Sequence, residues 1–428
     1  MSPNAHDHYH ALRFRDFRLL LMDDIVRSLG GQIFHVAIGW EIYNRTNSAL
    51  ALGLIGLAQL VPLLVLAPLA GHIADRYNRK HVVILAQFVG MLTALGFAAL
   101  SYWQGPVVAL YGCLCVMGMG EAFHDPASHA LLANVIPADA FENAASWSNG
   151  FGQLASMVGP ALGGVVVATF GGTTAAYMLN ALAVALCLML IGCIQARPQS
   201  RPAPAREGAE QAILHALGEG LRFVRRTPVL YAALSLDLFA ILFGGAEALL
   251  PVFARDILRV GPTGLGLLQA APAVGALCMT GFLAHRPRLQ HAGSIFLVAV
   301  AGCGFVMIGF GLSRVFWLSL LFLVIFGALD SISMVIRDVL VLTRTPDAMR
   351  GRVAAIEGVC TGSSNQLGGL ESGMTAQLFG PVASVVGGGL ATLGVVLAVA
   401  GLSPELRQMR TLLVAESGSQ CREHEDNV

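Results

Sequence analysis

Gly71-His-Ile-Ala-Asp75-Arg76-Tyr77-Asn78-Arg79-Lys80 lies between two long apolar runs and crowds one acid and three bases into ten residues. The glycine offers a side-chain-free surface that a second helix can approach closely. Asp75 is placed to cap a helix N-terminus or to pair with Arg79. Asn78 tolerates a left-handed backbone better than most residues do, as a tight turn requires. A basic loop that only sets membrane orientation would explain the charges but not the spacing of Gly71 and Asp75.

The flanking runs belong to a strongly apolar chain. Of its 428 residues, 55% are hydrophobic and 12% charged, with a mean hydropathy of +0.68. Soluble domains carry roughly 25% charged residues. Apolar stretches fall at 17–44, 47–73, 80–103, 107–131, 144–169, 173–195, 229–253, 262–284, 291–312, 315–341, 353–379 and 382–403. Each is long enough to cross ~30 Å of hydrocarbon as a tilted helix. Lipid leaves a spanning backbone no alternative to a helix or a closed barrel. The expected fold is therefore an all-α membrane protein with twelve transmembrane helices.

Basic residues set the orientation. With the N-terminus in the cytoplasm, 20 of the 26 Lys and Arg residues fall on that side. Only Arg45, Arg255, Arg259 and Arg314 fall opposite, and Arg27 and Arg337 lie within spans. Both termini are expected in the cytoplasm. Five segments follow: a tail at 1–16, a bundle at 17–195, a linker at 196–228, a second bundle at 229–403 and a tail at 404–428. The linker starts Pro-rich. It then places apolar residues at 213, 214, 217, 221 and 224, the spacing of a short amphipathic helix lying on the membrane surface. The first tail carries His6, His8 and His10, a weak metal-binding pattern, and reads as disordered rather than as a signal peptide.

The two bundles repeat one another at an offset near 210. Gln59, Pro62, Gly71, Ala74 and Arg76 recur as Gln269, Pro272, Gly281, Ala284 and Arg286. At an offset of 209, Gly118-Met-Gly-Glu121 matches Gly327-Ala-Leu-Asp330. Repeats of this kind imply a pseudo-symmetric pair of bundles with a site between them near the bilayer midplane.

The 71–80 segment resembles the signature loop of the major facilitator superfamily, roughly Gly-x-x-x-Asp-Arg-x-Gly-Arg-Arg/Lys, with Asn78 replacing a glycine. A weaker copy spans Gly281–Arg288, with His285 for the acid. Ala122-Phe-His-Asp-Pro126-Ala, Leu132-Ala-Asn-Val-Ile-Pro137 and Thr345-Pro-Asp-Ala-Met-Arg350-Gly-Arg-Val resemble the bacterial secretion branch that contains the enterobactin exporter. The resemblance implies two six-helix bundles that alternate access. It also implies a gating cluster of Gly71, Asp75, Arg76, Arg79, Lys80 and Asp125 that latches the outward-open state. Gly159-Pro160-Ala-Leu-Gly163-Gly164 partly resembles the exporter helix-5 motif, with Ala155 for its upstream glycine. Read physically, it is a proline kink flanked by small residues for close helix contact.

Ionisable residues inside spans are costly and point to function. Helix 1 carries Asp23, Asp24 and Arg27, with spacings that let either acid pair with the base. Helix 4 carries Glu121, His124, Asp125 and His129. Helix 7 carries Asp237 and Glu247, helix 10 carries Asp330, Arg337 and Asp338, and Glu371 lies in helix 11. Asp24, Arg27, Glu121, Asp237, Asp330 and Glu371 are the candidates for proton coupling or cavity lining. The exporter-type arginine of helix 4 is Leu114 here, and Arg27 is the possible substitute.

Zero net charge gives no case for a nucleic-acid partner. The chain has no Gly-x-x-x-x-Gly-Lys-Ser/Thr loop and no His-Glu-x-x-His. Seven of its eight cysteines lie in apolar stretches without metal-ligand spacing. The expectation is a monomeric transporter of the bacterial inner membrane, not an enzyme, with no metal, cofactor or disulfide. The leading reading is a proton-coupled exporter of a small amphiphile such as a siderophore, drug or metabolite. A nutrient importer or uniporter and a non-transporting sensor of the same fold remain open at this point.

Overall fold

A computed structural model describes residues 9–195, 209–285, 291–346 and 349–407, without the side chains of Pro68, His72, Ala74, Asp75, Ala138, Ala284 and residues 209–217. The N-terminal half contains α1 (Arg15–Thr46), α2 (Ala49–Arg76), α3 (Arg79–Tyr102), α4 (Val107–Val135), α5 (Phe141–Thr169) and α6 (Thr174–Gly192). A surface helix, α7 (Ala209–Arg226), follows. The C-terminal half contains α8 (Pro228–Ile257), α9 (Gly261–Ala284), α10 (Ala292–Leu312), α11 (Phe316–Arg344), α12 (Arg350–Phe379) and α13 (Pro381–Leu402).

All of these except α1, α7 and α12 are long and apolar enough to cross a membrane, which makes ten among the described residues. α1 has 32 residues and α12 has 30. Several of their polar groups, such as Asp23, Glu41 and Ser364, are buried within the protein. α8 is regular to Phe243, then passes through a tighter turn at Gly245–Leu249 and a wider one at Phe253–Ile257. At the break Gly245 lies hard against α12, where a Cβ would run into the carbonyl of Gly368.

The internal repeat has a packing cause. In the N-terminal half α2 packs on α4, α3 on α4 and α6, and α1 on α5 and α6. In the C-terminal half α9 packs on α11, α10 on α11 and α13, and α8 on α12 and α13, the same pairs one half later. Gly118 and Gly327 occupy equivalent crossings. A Cβ on Gly118 would meet the carbonyl of Gln59, and one on Gly327 would meet the carbonyl of Pro272. Repeated glycines mark where paired backbones touch.

The loop at 77–78 is built differently from the sequence expectation. Asn78 has φ −63° and ψ 114°, an ordinary extended conformation, not a left-handed one. It caps α3 instead: its side-chain oxygen accepts from the Lys80 amide at 3.0 Å. Gly71 faces open space in this conformation rather than a neighbouring helix. The N-terminal tail also departs from expectation over its described part. Ala11 is fully buried, and its amide donates to Asn143 Oδ1 on α5 at 3.1 Å. His10 stands 3.4 Å from Asp139, whereas His6 and His8 lie outside the described residues. In the linker, α7 docks on α12 through an ion pair of Glu219 with Arg352; residues 196–208 lie outside the described residues.

Gly327→Ala forces a methyl group into the Pro272 carbonyl, and overpacking of this kind costs ~1–3 kcal/mol. Gly112→Ala on α4, where a Cβ meets nothing within 4 Å, should be neutral or slightly stabilising. Thermal unfolding of the two variants in detergent should therefore split them, and equal midpoints would refute the close-crossing reading.

Candidate functional site

A cavity of about 620 Å³ lies between the halves. That is within the range of drug-sized ligand sites, roughly 300–1,000 Å³. Its N-terminal wall comes from α1 and α2, with Gln32, His35 and Gln59 as polar groups and Pro160 of α5 at the side. Its C-terminal wall is far more charged: Asp237 and Glu247 from α8, and Asp330 and Arg337 from α11. Gln269 on α9 lines it as the repeat partner of Gln59.

One end of the cavity is sealed. At the end away from the chain termini, α5 crosses α9 with Gly164 against Gly266 and the carbonyl of Pro262. In the symmetric crossing, α12 meets α2 with Gly373 against Gly53 and the carbonyl of Ala49. Side chains latch the same end. The Tyr43 hydroxyl donates to Asp256, Arg255 donates to the Tyr43 carbonyl at 3.2 Å, and its guanidinium lies 5.3 Å from the Tyr43 ring centre. The Ser48 hydroxyl donates to Gln377 at 3.0 Å. At the end with the termini, a Cβ on Gly71, Gly150, Gly281 or Gly358 would meet nothing within 4 Å. The close backbone crossings between the halves lie at the other end, which leaves the terminal side as the way into the cavity.

Arg337 organises the charged wall. It is 6% exposed and forms ion pairs with Asp237, with Glu357 of α12 at 2.8 Å and with Asp338 at 3.4 Å. A guanidinium buried without such partners would cost several kcal/mol. These four side chains tie α8, α11 and α12 together beside the ligand space. Asp330 lines the same wall without taking part in those ion pairs. Glu357 escaped sequence reading, because no local spacing links it to a base; its partner sits on another helix.

The other candidates lie elsewhere. Asp24 takes Arg27 at 3.8 Å, leaving Asp23 to a different role, and neither Asp24, Arg27, Glu121 nor Glu371 lines the cavity. Glu371 accepts from the Ser372 hydroxyl at 3.5 Å. Asp125 faces His124 at 3.3 Å. Arg79 donates to the Ala130 carbonyl at 3.1 Å and to Asn134 at 3.0 Å, fastening α3 to the end of α4. Lys80 donates to the carbonyls of Gly192 and Ile194, capping α6. Arg76 is exposed, and the Asp75 side chain lies outside those described. Gly159 abuts Gln32, Gly163 abuts Ile33 and Val36, and the Pro160 carbonyl lies against Gly266, so this stretch of α5 packs between α1 and α9. A further buried acid, Glu41, accepts from Thr173 at 2.8 Å and Tyr177 at 2.5 Å and pairs with Arg45. The i, i+4 spacing of Glu41 and Arg45 would have found it.

The model of the transmembrane secretion effector family matches residues 7–422. The chain belongs to this family of the major facilitator superfamily. Among relatives of the family, multidrug efflux pump Tap of Mycolicibacterium fortuitum is 28% identical over 399 residues, 91% of this chain and 96% of Tap. Enterobactin exporter EntS of Citrobacter koseri is 30% identical over 410 residues, 92% of this chain and 93% of EntS. Solved structures share the fold at lower identity. A POT family transporter in complex with 5-aminolevulinic acid gives a TM-score of 0.72 at 11% identity, covering 92% of this chain and 97% of that one. A bacterial homolog of the human lysosomal transporter Spinster, inward-facing and occupied, gives 0.71 at 13% identity, covering 92% and 98%. The chain is thus a membrane transporter with efflux pumps among its relatives.

Weakening the sealed end should open it. In a Leu52→Cys background, where Leu52 lines the cavity close to that seal and is 3% exposed, a hydrophilic maleimide should react slowly. Adding Tyr43→Phe and Arg255→Ala should accelerate labelling of Cys at that position severalfold. An unchanged rate would mean that the glycine crossings alone hold the seal.

Proposed function

We propose that the protein is a proton-coupled exporter of small amphiphilic compounds in the bacterial cytoplasmic membrane. It works as a monomer by alternating access, with both termini in the cytoplasm. The observation that carries this reading is a ligand-sized cavity, sealed at the far end and open toward the termini, whose charged wall holds more acids than bases. A cavity loaded from the terminal side and emptied through the Tyr43–Asp256 end moves compounds outward. The kinship with Tap and EntS supports the same direction.

On this reading the cavity walls divide the work. Gln32, Gln59 and Gln269 offer neutral hydrogen bonds to polar groups of a ligand, and the apolar lining takes its hydrophobic body. Asp330 and the Asp237–Arg337–Glu357 network exchange protons or cationic ligand groups during the cycle. Gly71, Asp75, Arg76, Arg79, Lys80 and Asp125 form the opposing gate, which closes the terminal side when the far end opens. Gly71 facing open space fits a surface that receives another helix only in that second state.

Ethidium, an amphiphilic cation, serves as the probe. In everted vesicles energised by an inward-acidic pH gradient, the protein should accumulate ethidium severalfold over empty vesicles and dissipate the gradient as it does so. Asp330→Asn should reduce accumulation at least tenfold with unchanged expression. Accumulation that survives a protonophore would refute proton coupling, and uptake confined to right-side-out vesicles would make the protein an importer.

A further inference from the structure

A second polar cluster lies inside the N-terminal bundle, away from the cavity. Asp23 on α1 is completely buried, at 0% exposure. One carboxylate oxygen accepts from Gln87 Nε2 of α3 at 2.9 Å. Its other oxygen, the Gln87 side-chain oxygen and Nε2 of His124 on α4 are all buried without a hydrogen-bond partner among the described residues. His124 is 5% exposed, and Gln87 4%. Three buried polar atoms, one from each of three helices, are thus left without a partner, and two of those side chains, Asp23 and Gln87, are in contact. His124 acts electrostatically on Asp23, as does Arg27, whose guanidinium already has Asp24 at 3.8 Å. From α6, the Cys187 thiol donates to the Asp23 carbonyl at 3.5 Å.

The far side of the imidazole is different. Nδ1 of His124 faces Asp125 Oδ1 at 3.3 Å, and the Asp125 side chain is 57% exposed. The ring therefore carries a buried, unpaired nitrogen on one side and meets an exposed carboxyl on the other. An ionised carboxylate left without a partner in such a place is expensive, so the group either carries a proton or passes it on. Imidazole is the side chain suited to accept on one nitrogen while donating from the other.

We propose that Asp23 is a proton-binding site sealed within the N-terminal half, and that His124 relays its proton to Asp125. On release, the Asp23 O–H bond breaks toward one intervening water molecule, which passes its own proton on as His124 Nε2–H forms. The Nδ1–H bond breaks as the Asp125 O–H forms, and Asp125 yields that proton to solvent. The ring ends as its other neutral tautomer. Loading is the same sequence in reverse, so the ring needs no rotation between turns. Gln87 is a positioning residue: it fixes one oxygen of Asp23 and leaves the other free. The assignment stands beside the proton-coupled reading: a relay that loads and releases through Asp125 equilibrates Asp23 with one side of the membrane, and a proton can be held there whether or not it drives transport.

Infrared difference spectra of the full-length protein in liposomes test this without any substrate. A protonated buried carboxyl gives a C=O stretch above the amide bands that shifts in deuterated buffer. Asp23→Asn should remove one such band, and Gln87→Leu should shift its frequency by removing one hydrogen bond. His124→Gln should keep the band but slow its hydrogen–deuterium exchange at least tenfold. Persistence of every band in Asp23→Asn, or unchanged frequency in Gln87→Leu if Asp23→Asn does not fold, overturns the site. Unchanged exchange in His124→Gln overturns the relay. If the band behaves as expected while ethidium transport proves insensitive to protonophore, the site stands and the coupling fails.

Discussion

Two helix crossings made without side chains hold the halves together. Where Gly164 meets Gly266, and where Gly373 meets Gly53, backbones touch and no rotamer has to be ordered. Lipid provides no hydrophobic drive for helices to associate, so contact of this kind rests on van der Waals packing of small residues. Both crossings lie at the same end of the molecule. The halves consequently meet at one end and part at the other, and the cavity follows from that asymmetry. A larger residue at any of the four positions would hold the backbones apart and loosen the seal that Tyr43, Arg255 and Asp256 complete.

The charged wall obeys a second constraint. Water cannot reach Arg337 freely, so carboxylates must meet it from within the protein. Asp237, Asp338 and Glu357 do so from α8, α11 and α12. Protonating or displacing one partner leaves an unbalanced charge shared by three helices of the same half. Breaking a buried pair of this type costs ~3–5 kcal/mol, comparable to the differences between conformational states of a transporter. The wall is thereby sensitive to whatever occupies the cavity beside it.

Much of this was legible in the chain. The apolar runs, the 210-residue offset and the Gly71–Lys80 loop yielded the helices, their pairing and the family, because each is a local pattern with a direct packing cause. Gly118 and Gly327 are the clearest instance: a glycine repeated in register marks a repeated backbone contact. Partnership across helices was not legible. Spacing on α1 permitted Arg27 to take either Asp23 or Asp24, and only the fold shows Asp24 taken and Asp23 turned toward Gln87. Glu357 was invisible for the same reason. Asn78 exposed a different limit, since an asparagine suits both a left-handed turn and an N-cap, and the helix beginning at Arg79 decides between them.

The N-terminal half presents few charges to the cavity, yet it encloses a cluster of its own. What connects the two is α1. Along its 32 residues, roughly 48 Å at 1.5 Å per residue, it carries Asp23 near one end, Gln32 and His35 on the cavity wall, and Tyr43 in the latch at the other. Gly159 and Gly163 of α5 pack directly against it at Gln32 and Ile33, so it cannot shift without the helix that forms one of the sealing crossings. A change of charge at Asp23 therefore acts on the same rigid element that touches the ligand space and closes the far end. The C-terminal half has no such rod, because α8 is interrupted at Gly244-Gly245 between Asp237 and the latch residues Arg255 and Asp256. The two halves are alike in how their helices pair and unlike in how a local charge reaches the gate. A continuous helix transmits it on one side, and a buried ion-pair network against a broken helix absorbs it on the other.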